Sequence, residues 1–257
     1  MTGDPTFEPR DRPSGLRPFT RILYAIAGAW TDEWWDNPGA WWQWCRAFKS
    51  WSAEEWRAFH TRWRTAPERK RRQLMEQTGL WFFDWRRVPG GSLWGSSRAA
   101  AELIRQDLDQ LPPDSDVTLL GHSKGGHAIK HLLSSTRQWS GARPARAIFV
   151  DAPLDRLREW ASRLMRLNTE SCRLDAATCP IPLATVNNWL DPSGGRLKGV
   201  PNYQTFVWQD YLVPYPPHGM KGFLAERVLR DLGALPSAAT GETTEHRRSR
   251  RCVSQGR

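Results

Sequence analysis

Along this chain, short apolar runs alternate with longer segments whose apolar residues recur at helical spacing. Six runs read as strands, over residues 21–28 (RILYAIAG), 80–85, 116–121 (DVTLLG), 147–151 (AIFVD), 183–188 (LATVNN) and 204–208. Most are apolar throughout instead of alternating, the pattern of strands covered on both faces. Helices are expected over 38–48, 53–63, 67–77, 97–110, 125–135, 154–167 and 221–232. Strands alternating with helices predict an α/β architecture, a mostly parallel, doubly wound sheet of about six strands. The stretch between the second and third strands departs from simple alternation because it also holds a Gly/Ser-rich loop, 89–97.

Both ends read as tails. Residues 1–18 are broken by Pro5, Pro9, Pro13 and Pro18, which resist regular structure. Residues 236–257 are small and polar and then basic, with Arg247, Arg248, Arg250 and Arg251, as expected of a solvated, disordered tail. One domain over 19–235 remains, with segment 30–79 as a helical, Trp-rich insertion or cap. At 257 residues, 39% hydrophobic and 25% charged, such a domain buries enough to fold without disulfide or metal support. No run approaches ~20 apolar residues, and the N-terminal residues lack the apolar core of a secretory signal. Cys45, Cys172, Cys179 and Cys252 show neither CxxC nor zinc-finger spacing and are read as free thiols, which points to a cytoplasmic protein.

The chemistry concentrates in VTLLGHSKGGHAIKHLL, residues 117–133. Its Gly121-His122-Ser123-Lys124-Gly125 matches G-x-S-x-G, with a strand-like run before it and a helix-like run after it. A strand that turns sharply into a helix with Ser at the apex strains that Ser. It also brings the residues two before and two after so close that a Cβ would collide. Gly121 and Gly125 meet that demand, and Gly126 lets the helix lie close to the sheet. The same helix aims its N-terminus at negative charge developing beside Ser123 Oγ.

On this motif and its context the chain resembles the α/β-hydrolase superfamily, in its lipase and esterase branches. The resemblance covers about residues 20–235, although only the elbow is sharp. It implies Ser123 as nucleophile and a triad in the chain order Ser, acid, His. The acid usually follows the second strand beyond the elbow, which selects Asp191 in NNWLDPSGG; Asp151 and Asp155, one strand earlier, are the rivals, and Asp210 is more remote. The base follows the last strand, where His218 stands in a late loop. His60 lies in the basic Trp-rich segment and His246 in the tail, while His122, His127 and His131 sit in or just after the elbow. An oxyanion hole is implied from the backbone N–H of Lys124 and, after the first strand, of Ala29, with Trp30 the alternative donor. Ala27 stands where the family often has His. The implied reaction is acyl transfer, with Ser123 attacking a carbonyl, His218 moving the proton and Asp191 holding the imidazole. No metal or organic cofactor is called for. His127 and His131, four apart, form a metal-type pair, but no nearby carboxylate completes a set.

Charge and aromatics complicate the picture. The formal charge is +10, and nine of the 16 Trp fall between Trp30 and Trp63, beside a stretch from Arg57 to Arg72 with seven basic residues and one acid. Some of these Trp must cover core; others, Trp30 foremost, are expected to line the site's mouth and touch substrate. An amphipathic helical cap with a solvated Arg face is the plainest reading. Weak association with an anionic membrane surface is a second, and stacking on nucleic acid is disfavoured. The Lys124 cation either favours an anionic substrate group or pairs with a local carboxylate. Overall the pattern implies hydrolysis of a small-molecule or lipid carboxylic ester. A thioesterase or amidase with the same triad, or a non-catalytic binding protein of this fold, is the alternative. Oligomeric state is not encoded in any recognisable motif.

Overall fold

The computed structural model describes residues 21–29, 38–135, 139–164, 168–188, 194–205 and 224–235. Six strands build a wholly parallel sheet: β1 (Arg21–Ile26), β2 (Leu80–Phe82), β3 (Asp116–His122), β4 (Pro144–Val150), β5 (Leu183–Asn188) and β6 (Asn202–Thr205), in spatial order β2-β1-β3-β4-β5-β6. The sheet reverses direction of growth between β1 and β3, so their C-terminal ends meet at a switch point, where open α/β sheets hold ligands. β3 and β4 pair from Val117↔Pro144 to His122↔Val150, with a register shift after Val117.

Among the described residues, eight α-helices accompany the strands: α1 (Pro38–Lys49), α2 (Ala53–Thr65), α3 (Glu68–Thr78), α4 (Gly91–Trp94), α5 (Ser97–Asp109), α6 (Lys124–Ser134), α7 (Arg156–Leu164) and α8 (Ala225–Asp231). Both sheet faces are covered, and the strand period of two assigns residues to each. Ile22, Tyr24, Val117, Leu119, Ala147 and Phe149 face one core with Ile104 and Leu108 of α5 and Ile129 of α6. Leu23, Ala25, Leu120, Ile148 and Val150 face the other with Val228 and Leu229 of α8.

The Trp-rich segment belongs to that second core. Trp41, Trp44, Trp56 and Trp63 are buried there with Phe48 and Phe59, against Leu80 and Phe82 of β2. Their rings tile the sheet face; Trp63, for example, meets Phe82 edge-on at 5.0 Å between centroids. Ser52 and Glu55 form a capping box at the start of α2, and the basic Arg71 lies over Trp63, 6.0 Å from its ring centroid. No helix among the described residues is long and apolar enough to cross a membrane.

Two local expectations are corrected. The loop expected over 89–97 contains a one-turn helix, α4, entered through Gly90 at φ 88°. The fourth strand begins at Pro144 instead of 147, because Arg146 is tied to Asp116 of β3 at 2.7 Å and to Thr118. Of the expected sixth strand, residues 206–208 lie outside the described residues, as do 221–223 of the last helix.

Candidate functional site

β3 runs into α6 through Ser123, which takes φ 51° and ψ −122°, a region that a non-Gly residue enters only under constraint. The constraint is visible on both sides. The Ser123 N–H donates to Val150 O at 2.9 Å, and Ser123 O accepts from the His127 N–H at 3.2 Å. A Cβ on Gly125 would lie 2.2 Å from Ile26 O, so only Gly lets α6 start this close to β1. Ser123 itself is half-buried, beneath the C-terminal edge of the sheet.

The turn after β1 packs directly on this apex. A Cβ on Gly28 would come within 2.7 Å of Ser123 Cβ and 3.1 Å of His122 Nδ1. Ala29, the proposed oxyanion donor, follows Gly28 in that turn and is half-buried. Trp85, just beyond β2, fixes the turn from behind by donating its Nε1–H to Ala27 O at 2.9 Å.

Lys124 resolves a question that residue identity alone leaves open. Its side chain is fully buried, and its ammonium donates to Ser92 O at 2.9 Å and Leu93 O at 3.0 Å while lying 5.2 Å from the Trp85 ring centroid. Those carbonyls end α4, where a helix has acceptors without intrahelical donors and favours a cation. The ammonium therefore braces the α4 loop against the elbow.

The other two triad candidates, Asp191 and His218, lie outside the described residues, as does Trp30. The flanks of the Asp191 segment are anchored at the sheet edge. β5 ends at Asn188; beyond the segment, the Gly195 N–H donates to Ala152 O at 2.7 Å, and a Cβ on Gly194 would sit 3.4 Å from Asp151 Oδ1. Asn187, which sequence reasoning passed over, clamps this region by donating Nδ2–H bonds to Gly195 O and Asn202 Oδ1. Of the rival acids, Asp151 is fully buried at the end of β4 with φ 43°. Asp155 accepts from the Arg158 N–H and ion-pairs with its guanidinium at 2.9 Å, serving the start of α7.

Three described histidines, His60, His127 and His131, are engaged with other partners. His60 stacks on Trp56. His127 Nε2 meets Glu159 Oε1 at 3.3 Å, and His131 Nε2 meets Glu170 O at 3.0 Å. Burial lowers both imidazoles from the ordinary histidine value, against the pull of Glu159 and Glu170. Burial alone would raise Glu159, but hydrogen bonds from His127 and from Lys130, at 2.5 Å, hold it below the usual carboxylate value. The expectation that no nearby carboxylate accompanies this histidine pair is corrected by the Glu159 contact, and a thiol lies close to the pair as well. Cys172 joins it, with one donor atom from each of the three within 4.8 Å of the others. Burial pushes the Cys172 thiol up to about 11. Cys45, Cys172 and Cys179 are all free thiols.

No family model and no curated protein matches the chain. Solved structures do. A protein provisionally named as a YdeN-like hydrolase, from Pectobacterium atrosepticum, aligns at 12% identity over 84% of this chain and 94% of its own, with a TM-score of 0.48. RedJ, a thioesterase of the prodiginine pathway in Streptomyces coelicolor, aligns at 15% identity over 89% and 97%, with a TM-score of 0.44. A protein provisionally named as a carboxylesterase, from Lactobacillus plantarum, aligns at 14% identity over 89% and 92%, with a TM-score of 0.46.

Proposed function

We propose, from an α/β-hydrolase fold with its elbow at the sheet's switch point, that the protein is a serine hydrolase of carboxylic esters. One observation carries the reading: Ser123 stands at a strained strand-to-helix apex, half-open, with the turn after β1 pressed against its Cβ. A bystander serine gains nothing from that conformation. A nucleophile gains an exposed Oγ, a helix N-terminus behind the developing oxyanion, and a neighbouring backbone turn to complete the hole.

In this mechanism His218 removes the Ser123 proton as Oγ attacks the ester carbonyl, and Asp191 fixes the imidazole tautomer and stabilises its cation. The N–H groups of Lys124 and Ala29 bind the tetrahedral oxyanion. His218 then protonates the leaving alcohol, and water deacylates the enzyme by the reverse proton path. The substrate is a small-molecule or lipid ester, with Trp30 at the mouth.

The test is labelling of the purified protein by a fluorophosphonate probe, with hydrolysis of a nitrophenyl ester series of increasing chain length. Labelling and turnover that both vanish in Ser123→Ala support the proposal. Folded wild-type protein that neither labels nor turns over any ester in the series overturns it. The acid is assigned by comparing Asp191→Asn with Asp151→Asn: loss of the acid partner lowers kcat by about 10⁴.

A further inference from the structure

On the side of α6 away from β1 and the turn after it, a second polar cluster is built that the hydrolase reading does not use. His127 and His131 stand one turn apart with their rings edge to face, 4.9 Å between centroids. Cys172 reaches them from the chain after α7, bringing one donor atom from each residue within 4.8 Å of the other two. The hydrogen bonds around the rings decide which nitrogens hold a lone pair for a ligand. A backbone carbonyl only accepts, so His131 Nε2, 3.0 Å from Glu170 O, carries the ring proton and leaves Nδ1 as a lone pair. His127 Nε2 faces the Glu159 carboxylate at 3.3 Å in the same way, and its Nδ1 is buried without a hydrogen-bond partner among the described residues. An imidazole oriented through Nε2–H by a carboxylate or carbonyl is the arrangement that supports metal ligation at the opposite nitrogen.

We propose that His127 Nδ1, His131 Nδ1 and Cys172 Sγ form a site for a divalent transition-metal ion of the zinc type. Two imidazoles and a thiolate are borderline-soft donors, which suit Zn²⁺ and exclude Mg²⁺ and Ca²⁺. Zinc bonds of about 2.0–2.3 Å require donors closer than the 4.8 Å limit, so the ion draws them inward as it binds. Cys172, half-buried in the chain between α7 and β5, is the member that lies outside α6. Charge is balanced locally: Lys130 is matched by Glu159 at 2.5 Å, and Glu170 adds a further carboxylate. Three protein ligands leave a fourth position. His131 and Cys172 also line a cavity of about 430 Å³ with Arg98, Arg105 and Arg173 on its walls. Arg105 is 6% exposed, and its guanidinium lies over the Trp139 ring at 4.7 Å and makes no hydrogen bond among the described residues, so the cavity favours water or a small anion as fourth ligand. The bound ion would pin the Cys172 loop to the helix that carries Ser123. The site shares no residue with the proposed triad, and its test reads the metal, not turnover.

The experiment is titration of the chelator-stripped full-length protein with Co²⁺, followed by Zn²⁺. The expected result is one Co²⁺ per chain, with a near-ultraviolet thiolate-to-cobalt charge-transfer band and tetrahedral visible bands, both bleached by one equivalent of Zn²⁺. Cys172→Ser abolishes the charge-transfer band and Cys179→Ser retains it. Glu159→Gln keeps the spectrum but weakens binding by about 10–100-fold. Absence of the band at stoichiometric Co²⁺ in the wild type overturns the proposal without recourse to any variant. So does a band that survives in Cys172→Ser, because the thiolate then belongs to another cysteine.

Discussion

Replacing Lys124 with Met separates bracing from substrate recruitment. The ammonium is fully buried and donates to Ser92 O and Leu93 O at 2.9 and 3.0 Å. Hydrogen bonds to a charged group contribute about 1.5–3 kcal/mol each, so the pair contributes about 3–6 kcal/mol gross. Against this stands the cost of burying an ammonium, several kcal/mol after relaxation, which the two bonds and the Trp85 ring offset. Met keeps the volume and removes that cost, but it leaves two C-terminal carbonyls of α4 without their donor, at about 1–3 kcal/mol each. The expected net change is a loss of about 2–6 kcal/mol in unfolding free energy, read by urea denaturation with an unchanged m-value. Because Met retains the backbone N–H, kcat on a neutral nitrophenyl ester should stay of the wild-type order under native conditions. If the variant is as stable as wild type and instead shows a raised KM confined to anionic esters, the bracing argument is wrong and Lys124 faces substrate.

Three further perturbations probe the elbow and the core. Gly28→Ala places a Cβ 2.7 Å from Ser123 Cβ, so the turn after β1 must withdraw. The expected outcome is a fall in kcat of about 10²–10³, the scale of a lost oxyanion donor, with circular dichroism unchanged; wild-type turnover would refute it. Trp44→Ala, at a fully buried position, should cost about 3–5 kcal/mol, whereas Trp94→Ala, 54% exposed, should cost under about 0.5 kcal/mol in the same denaturation assay. Tyr203 is pushed up to about 12, by burial first and then by its hydrogen bond to Asp231 at 2.8 Å. An acid raised in the folded state contributes fully below the unfolded value of about 10 and loses that contribution as pH climbs from there through 12. Stability should therefore decline less steeply above about pH 10 in Tyr203→Phe than in wild type; identical slopes would contradict the assignment.

What could be read along the chain and what could not divides by the distance of the causes. The elbow was legible because its demands are local: Gly121, Ser123 and Gly125 are dictated by one turn, and the apolar run before them by a strand covered on both faces. β5 was legible end to end for the same reason. The errors sit where a residue's partner is remote in sequence. Gly90 to Gly95 looked like a loop because nothing within it announces α4; the helix is completed by an ammonium from Lys124, 31 and 32 residues from the carbonyls it caps. β4 starts early because Arg146 finds Asp116, thirty residues back on the neighbouring strand. The histidine pair on α6 looked incomplete because its third donor, Cys172, is 41 residues beyond His131, and its orienting groups, Glu159 and Glu170, come from α7 and the chain after it. Spacing rules see ligand pairs on one helix face, since 3.6 residues per turn fixes them, but a loop that folds back onto that face leaves no period to find. The same logic explains why Asp191 and His218 entered through their order in the chain and not through any local signal. A carboxylate in a Gly-rich turn and a histidine after two prolines are common in loops, and only the apex at Ser123 suggests a role for them.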